Sequence, residues 1–251
     1  MAILEASGVT KLFRIPDVQR DTVREHVMDF FRPRKFHVFK AVDNVSLSVE
    51  RGDSVGIMGR NGSGKSTLLK IISGIYQPDS GRIVARAGVT PILELGVGWN
   101  GELDAIDNIL LIGTAMGLTI GKLKAATPDI LGFAGLEPFA NLKLEHYSSG
   151  MAARLAYAVA FAAVKDILVL DEVFAVGDAG FKAACESRYR ELRRDGKTIV
   201  LVSHDPVVVA RFCDRAMLLD AGRIAYDGSP QRVAERYLTL LSQPVPNAVN
   251  E

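Results

Sequence analysis

The sequence lacks any apolar run long enough to cross a bilayer as a helix, which takes about 18 or more residues. Its best candidate, "LAYAVAFAAV", is closed by Lys165 and Asp166. The opening "MAILEASGVTKLF" has no basic stretch followed by an apolar one, so no secretory leader is expected. Charge of one sign is also missing: 30 basic against 29 acidic residues leave a formal +1. That excludes nucleic-acid binding through bulk charge and leaves only local patches. Cysteine is scarce. Cys185 and Cys213 are far apart without metal-ligand spacing, and both are expected to be reduced thiols in or near a core. Trp99 is the single tryptophan and the six tyrosines are scattered, so no stacking platform for a sugar stands out. There is no internal repeat and no low-complexity segment.

What is present is a chain of 251 residues, 48% apolar, enough for one large domain or two lobes around a substantial core. "AILEASGVTKLFRI" and "AVDNVSLSVERGD" alternate apolar and polar residues, as half-buried strands do. Between them, at about 17–40, lies an insert with Val23, Val27, Phe30 and Phe31 at helical spacing. Arg20, Arg24, Arg32, Arg34 and Lys35 flank these positions. It reads as an amphipathic helix, either packed on the surface or touching anionic lipid head groups or a membrane partner. "SVGIMG" reads as a buried strand and "GKSTLLKIISGIY" as a helix. Residues from about 100 to 165 read as a mainly helical subdomain. Then come "DILVLDE", "FKAACESRYRELRRDG" and "KTIVLVSHD" as strand, helix and strand, and "AMLLD" and "RIAYDG" as two short strands. "SPQRVAERYLTLL" closes the domain at about residue 242, and 243–251 reads as a flexible tail. The alternation predicts an α/β fold around a mostly parallel sheet.

The chemistry begins with "GRNGSGKST". Gly59, Arg60, Asn61, Gly62, Ser63, Gly64, Lys65 and Ser66 fit G-x-x-x-x-G-K-[ST], between a predicted strand and a predicted helix. Such a loop turns successive backbone N–H groups toward one anion, and the helix start adds its positive dipole. Lys65 is expected to bridge the β- and γ-phosphates of a nucleoside triphosphate. Ser66 is expected to hold Mg²⁺, with Thr67 adding phosphate contacts. "DILVLDE" supplies the second half. Its apolar residues carry Asp171 to a strand end, where a carboxylate holds Mg²⁺ through water, and Glu172 follows as a base for an attacking water.

Cradle, helical segment, "YSSGM", "LVLDE", "VGD" and "SHD", in that order, resemble the nucleotide-binding subunit of ABC transporters from residue 2 to about 230. The resemblance implies a P-loop NTPase fold with a parallel core sheet, an antiparallel β subdomain and an α-helical subdomain. It implies ATP and Mg²⁺ as cofactors and a head-to-tail dimer with two ATP molecules between subunits. Ser148, Ser149 and Gly150 correspond to the signature loop, which caps the γ-phosphate held by a second subunit. Tyr147, Ser149 and Met151 depart from the usual LSGGQ. The resemblance also makes His204 the switch histidine and Asp178 the loop aspartate that reaches across the dimer. Phe13 becomes the aromatic that stacks on adenine, with Phe36 and Phe39 as alternatives. The family's glutamine has no counterpart in "PILELGVGWNGEL", where Glu94 is the nearest candidate for a contact to the metal.

"LELGVGW", "YSSGM" and "DEVFAVGD", with the basic insert, resemble one branch: ATP-binding subunits that export O-antigen, capsular polysaccharide or teichoic acid. This implies an ATPase at the cytoplasmic face of the bacterial inner membrane. Its partners would be a separate membrane-spanning permease, a second copy of itself and, through the permease, a lipid-linked glycan, with no nucleic acid. An exporter for a lipid, drug or peptide is the first rival. A soluble ABC ATPase acting on nucleic acid or the ribosome is the second. Longer members of the branch carry a C-terminal β-domain that reads the glycan end. "SQPVPNAVNE" is too short to bury such a core, so no sugar site is expected if Glu251 ends the protein.

Overall fold

A computed structural model of the chain describes residues 1–16, 36–93, 98–171 and 178–243. The strands are β1 (Ala2–Pro16), β2 (Phe36–Glu50), β3 (Ser54–Met58), β4 (Ser80–Ala85) and β5 (Val89–Ile92), then β6 (Ile167–Asp171), β7 (Thr198–Val202), β8 (Arg215–Asp220) and β9 (Arg223–Gly228). The helices are α1 (Lys65–Ile72), α2 (Ala105–Ala115), α3 (Ile120–Ala134), α4 (Ser149–Ala162), α5 (Ala179–Arg194), α6 (Pro206–Phe212) and α7 (Pro230–Ser242).

Two sheets form. One is antiparallel, in the order β2-β1-β4. Along β2, Val45, Leu47 and Val49 are buried while their neighbours are exposed, the pattern of a strand with one wet face. The other sheet runs β5-β6-β7-β3-β8-β9, with only β9 antiparallel. Every residue of β3 and β7 is buried, as expected of parallel strands covered on both faces. Side chains alternate between those faces. Leu168 and Leu170 pack with α4, α5, α6 and α7, while Ile167 and Val169 pack with α1 and the antiparallel sheet. The helical segment has its own core around Ile109, Leu123, Ile130, Leu155 and Val159. The expected architecture of parallel core, antiparallel β layer and helical subdomain is therefore present.

β4, β5 and α6 carry no clear pattern in the sequence. β4 is a half-exposed strand containing Gly81 and Arg82, and β5 is four residues long and includes Pro91. α6 reads "PVVVARF", whose β-branched run favours a strand. Asp205 reverses that preference by accepting from Val207 N at 2.8 Å, and Pro206 fits the first helical turn. The insert also ends earlier than expected. Its last five residues, Phe36 to Lys40, belong to β2 and pair with β1 out to Pro16–Phe36. The remainder of the insert, 17–35, lies outside the described residues, as does the tail from 244 onward.

Both cysteines are buried and unpaired, and burial pushes each thiol up to about 12, so both stay protonated. Among the described residues no helix is long and apolar enough to cross a membrane.

Candidate nucleotide site

β3, the glycine-rich loop and α1 follow one another as the motif requires. Two glycines are fixed by close approach. A side chain on Gly59 would collide with the Leu219 carbonyl, and one on Gly64, at φ +102°, with the Ala41 carbonyl. The β8–β9 turn props the loop from outside: Gly222 N donates to Ser63 O at 3.0 Å, while Asp43 N donates to Gly222 O at 2.8 Å.

The loop encloses one side of a cavity of about 560 Å³, whose lining includes Asn61, Gly62, Gly64, Lys65, Ser66 and Thr67. Phe39, Ala41, Leu93 and Asp171 complete it. Lys65 is buried, and its Nζ donates to Gly59 O at 2.7 Å and Arg60 O at 2.8 Å. Its charge therefore sits over the loop. The α1 N-terminus opens into the same space and adds to the positive potential there. Inside the loop, Ser63 Oγ is buried with no hydrogen-bond partner among the described residues. Donors and positive charge crowd a concave site, which fits a polyphosphate.

Ser66 Oγ donates to Asp171 Oδ2 at 3.5 Å, across 105 positions of sequence. This brings together the two oxygen ligands expected for Mg²⁺. Among the described residues no group of three or more His, Cys, Asp or Glu could hold a metal. Two oxygen donors facing a phosphate site suit an ion that keeps several waters. Glu94, the third candidate, lies outside the described residues, and so does Glu172.

Strand register brings His204 to the same end of the sheet. Asp171 and Ile57 both pair with Val202, so β3, β6 and β7 end side by side. Gly59 and His204 each follow two residues later. His204 is exposed, in a turn where Asp205 N donates to Ser203 Oγ at 3.1 Å.

The adenine-stacking candidates separate. Phe13 and Phe39 are register partners on β1 and β2, so they share a face. Phe39 lines the cavity, whereas Phe13 packs edge-on against Tyr76 with centroids 5.8 Å apart. Phe36 is not among the lining residues. The placement favours Phe39, one of the two alternatives, over Phe13. Arg60 also differs from a cradle residue, because its guanidinium turns away toward the end of α7.

Ser148, Ser149 and Gly150 start α4 and are exposed, and none lines the cavity of their own chain. Ser148 Oγ accepts from Met151 N at 3.2 Å, a cap worth about 0.5–2 kcal/mol. Tyr147 directly precedes this cap. Its hydroxyl donates to Phe139 O at 2.8 Å, tying the start of α4 to the short helical turn at Glu137–Phe139. Burial and then the nearby Asp104 carboxylate raise its pKa, so it remains a donor. Asp178 caps α5, accepting from Phe181 N at 2.9 Å, and is exposed.

Residues 42–175 match the family model described as ABC transporter. The chain is 40% identical to the O-antigen export system ATP-binding protein RfbB of Myxococcus xanthus, over 83% of this chain and 48% of that protein. It is 38% identical to the teichoic acids export ATP-binding protein TagH of Bacillus cereus, over 94% and 42%. Against RfbB of Klebsiella pneumoniae the identity is 35% over 94% of this chain and 97% of that protein. The chain thus spans less than half of the first two relatives and nearly all of the third. A dimeric structure of the bacterial ABC transporter cassette MJ0796 superposes with a TM-score of 0.69 at 25% identity, over 90% of this chain and 98% of that one. On its own residues and on these likenesses, the chain belongs to the ABC transporter family.

Proposed function

We propose that this chain is the ATP-hydrolysing subunit of an exporter that drives a lipid-linked polysaccharide, O-antigen, capsular or related, across the cytoplasmic membrane. The cavity that gathers Lys65, Ser66 and Asp171 carries the ATPase reading. The glycan class is supported by the names of the relatives, which are O-antigen and teichoic acid export proteins. Lys65 neutralises phosphate oxygens, Ser66 and Asp171 would hold Mg²⁺, and Phe39 stacks on the base. His204 contacts the terminal phosphate, and Glu172 accepts the proton of the attacking water. Mg²⁺, when bound, spreads the charge that develops on the transferred phosphoryl group.

Two copies work head to tail, with Ser148 and Gly150 of one closing over the cradle of the other, and Asp178 reaching across the same interface. The exposed start of α4, outside its own chain's cavity, supports this. The pair docks on a separate permease at the cytoplasmic face of the inner membrane, and the glycan is met only through that permease. No nucleic acid is involved. Closure and reopening of the pair drive the permease. Deleting the gene should leave lipid-linked polysaccharide in the cytoplasm. Its absence would remove the substrate class.

Mixing subunits tests the trans arrangement. Ser148→Arg homodimers and Lys65→Ala homodimers should each be nearly inactive. A mixture forms heterodimers with one intact site, so turnover should recover to about a quarter of wild type if sites act alone and pairing is random. A mixture no more active than its parents would overturn the head-to-tail pairing.

Tyr147→Phe deletes one hydrogen bond, worth about 1 kcal/mol. ATP turnover of the assembled transporter should fall about fivefold. Nucleotide affinity of the isolated subunit should not change, because the signature loop does not line its own cavity. Paired turnover and calorimetric measurements read both numbers.

A further inference from the structure

Arg60 occupies the second position of the phosphate loop, yet its side chain serves another element. Nη2 donates to Leu240 O and, at 2.5 Å, to Gln243 O. These carbonyls belong to the last turn of α7 and the residue after it. The final carbonyls of a helix carry partial negative charge, and Leu240 O keeps it although it also accepts from Gln243 N at 3.1 Å. α7 has no basic residue in its last turn to meet them. Arg60 reaches across 180 positions of sequence to supply that charge.

The other end of Arg60 is tied to the nucleotide machinery, because its carbonyl accepts from Lys65 Nζ at 2.8 Å. α7 itself is fixed to the core by Val233 and Tyr237. The loop is thus clamped on one side by the β8–β9 turn and on the other by the end of α7. We propose that Arg60 is a positioning residue that locks the phosphate loop to the last turn of α7, so that the order of that turn sets the loop's affinity for nucleotide. This rests on the nucleotide reading of the cradle. Linkage then runs both ways: nucleotide in the cradle steadies the chain's exit at Gln243, and whatever loosens that exit weakens nucleotide binding.

The test uses the full chain and MgADP. Arg60→Ala should lower affinity about five- to tenfold, the span of a modest coupling. Leu241→Gly with Ser242→Gly loosens the same turn from the other side. Leu241 is exposed, so no core side chain is lost, and among the described residues Ser242 gives up only its side-chain bond to Thr239 O. This pair should weaken MgADP binding by a similar factor and add little in the Arg60→Ala background, as coupled positions do. Without nucleotide, Arg60→Ala should speed amide exchange at residues 239–243. The glycine pair binding MgADP as wild type, or its penalty adding in full to that of Arg60→Ala, would overturn the clamp. Unchanged exchange in Arg60→Ala would do the same. Should Arg60→Ala not fold, the glycine pair with Arg60 intact decides alone. Failure of the wild type to bind MgADP would count against the nucleotide reading, and the exchange measurement would still judge the clamp.

Discussion

Glu172→Gln is expected to slow ATP hydrolysis by about a hundred- to ten-thousandfold while MgATP still binds, the usual cost of losing a general base. The substitution keeps the shape and the hydrogen-bonding reach of the side chain and removes its basicity. Glu172 directly follows Asp171, which β6 delivers to the mouth of the cavity 3.5 Å from Ser66. A carboxylate one position beyond a metal ligand suits a water aligned with the terminal phosphate. With hydrolysis blocked, the head-to-tail pair should persist. Light scattering of Glu172→Gln with MgATP should therefore report a stable dimer where the wild type, given time to turn over, reports monomer. Near-normal turnover would remove Glu172 from the reaction.

The parts of the site that are local in sequence were legible there. Strand, glycine loop and helix from Ser54 to Ile72 form one supersecondary unit, and its composition states each turn. Asp171 was legible because four consecutive apolar residues announce a strand buried on both faces, and an acid then ends it. Non-local choices were not. Phe13 and Phe39 sit opposite each other across two strands, so the same face is available to both. The packing of Tyr76 against Phe13 leaves Phe39 for the cavity. Nothing near position 60 signals that the Arg60 side chain leaves the loop, because its acceptors are backbone carbonyls at 240 and 243, which carry no residue code. Tyr147 is similar: its partner is the carbonyl of Phe139, eight residues back across a turn. The β-strand from Phe36 to Lys40 was hidden by the helical periodicity just before it. Its alternation covers only five residues, and its partner strand lies beyond the insert.

Lys65→Ala should fail at an earlier stage than Glu172→Gln. Lys65 opens α1, is buried, and holds its ammonium over the loop between the carbonyls of Gly59 and Arg60. The amine plays two parts. It organises the loop from within, and under the proposed function it would offer a positive charge to the triphosphate oxygens. Alanine keeps the helix, since its helical propensity is the highest, but leaves both loop carbonyls without that donor. Nucleotide affinity should fall at least about tenfold, and turnover by about a hundred- to a thousandfold, the usual cost of removing one preorganised donor from a charge-developing site. The two variants should therefore separate by calorimetry: Glu172→Gln keeps MgATP affinity near wild type and Lys65→Ala loses it. A melting temperature close to wild type would assign the loss to the site. Lys65→Ala protein with unchanged affinity and turnover would show that the loop is a structural turn with no phosphate to hold.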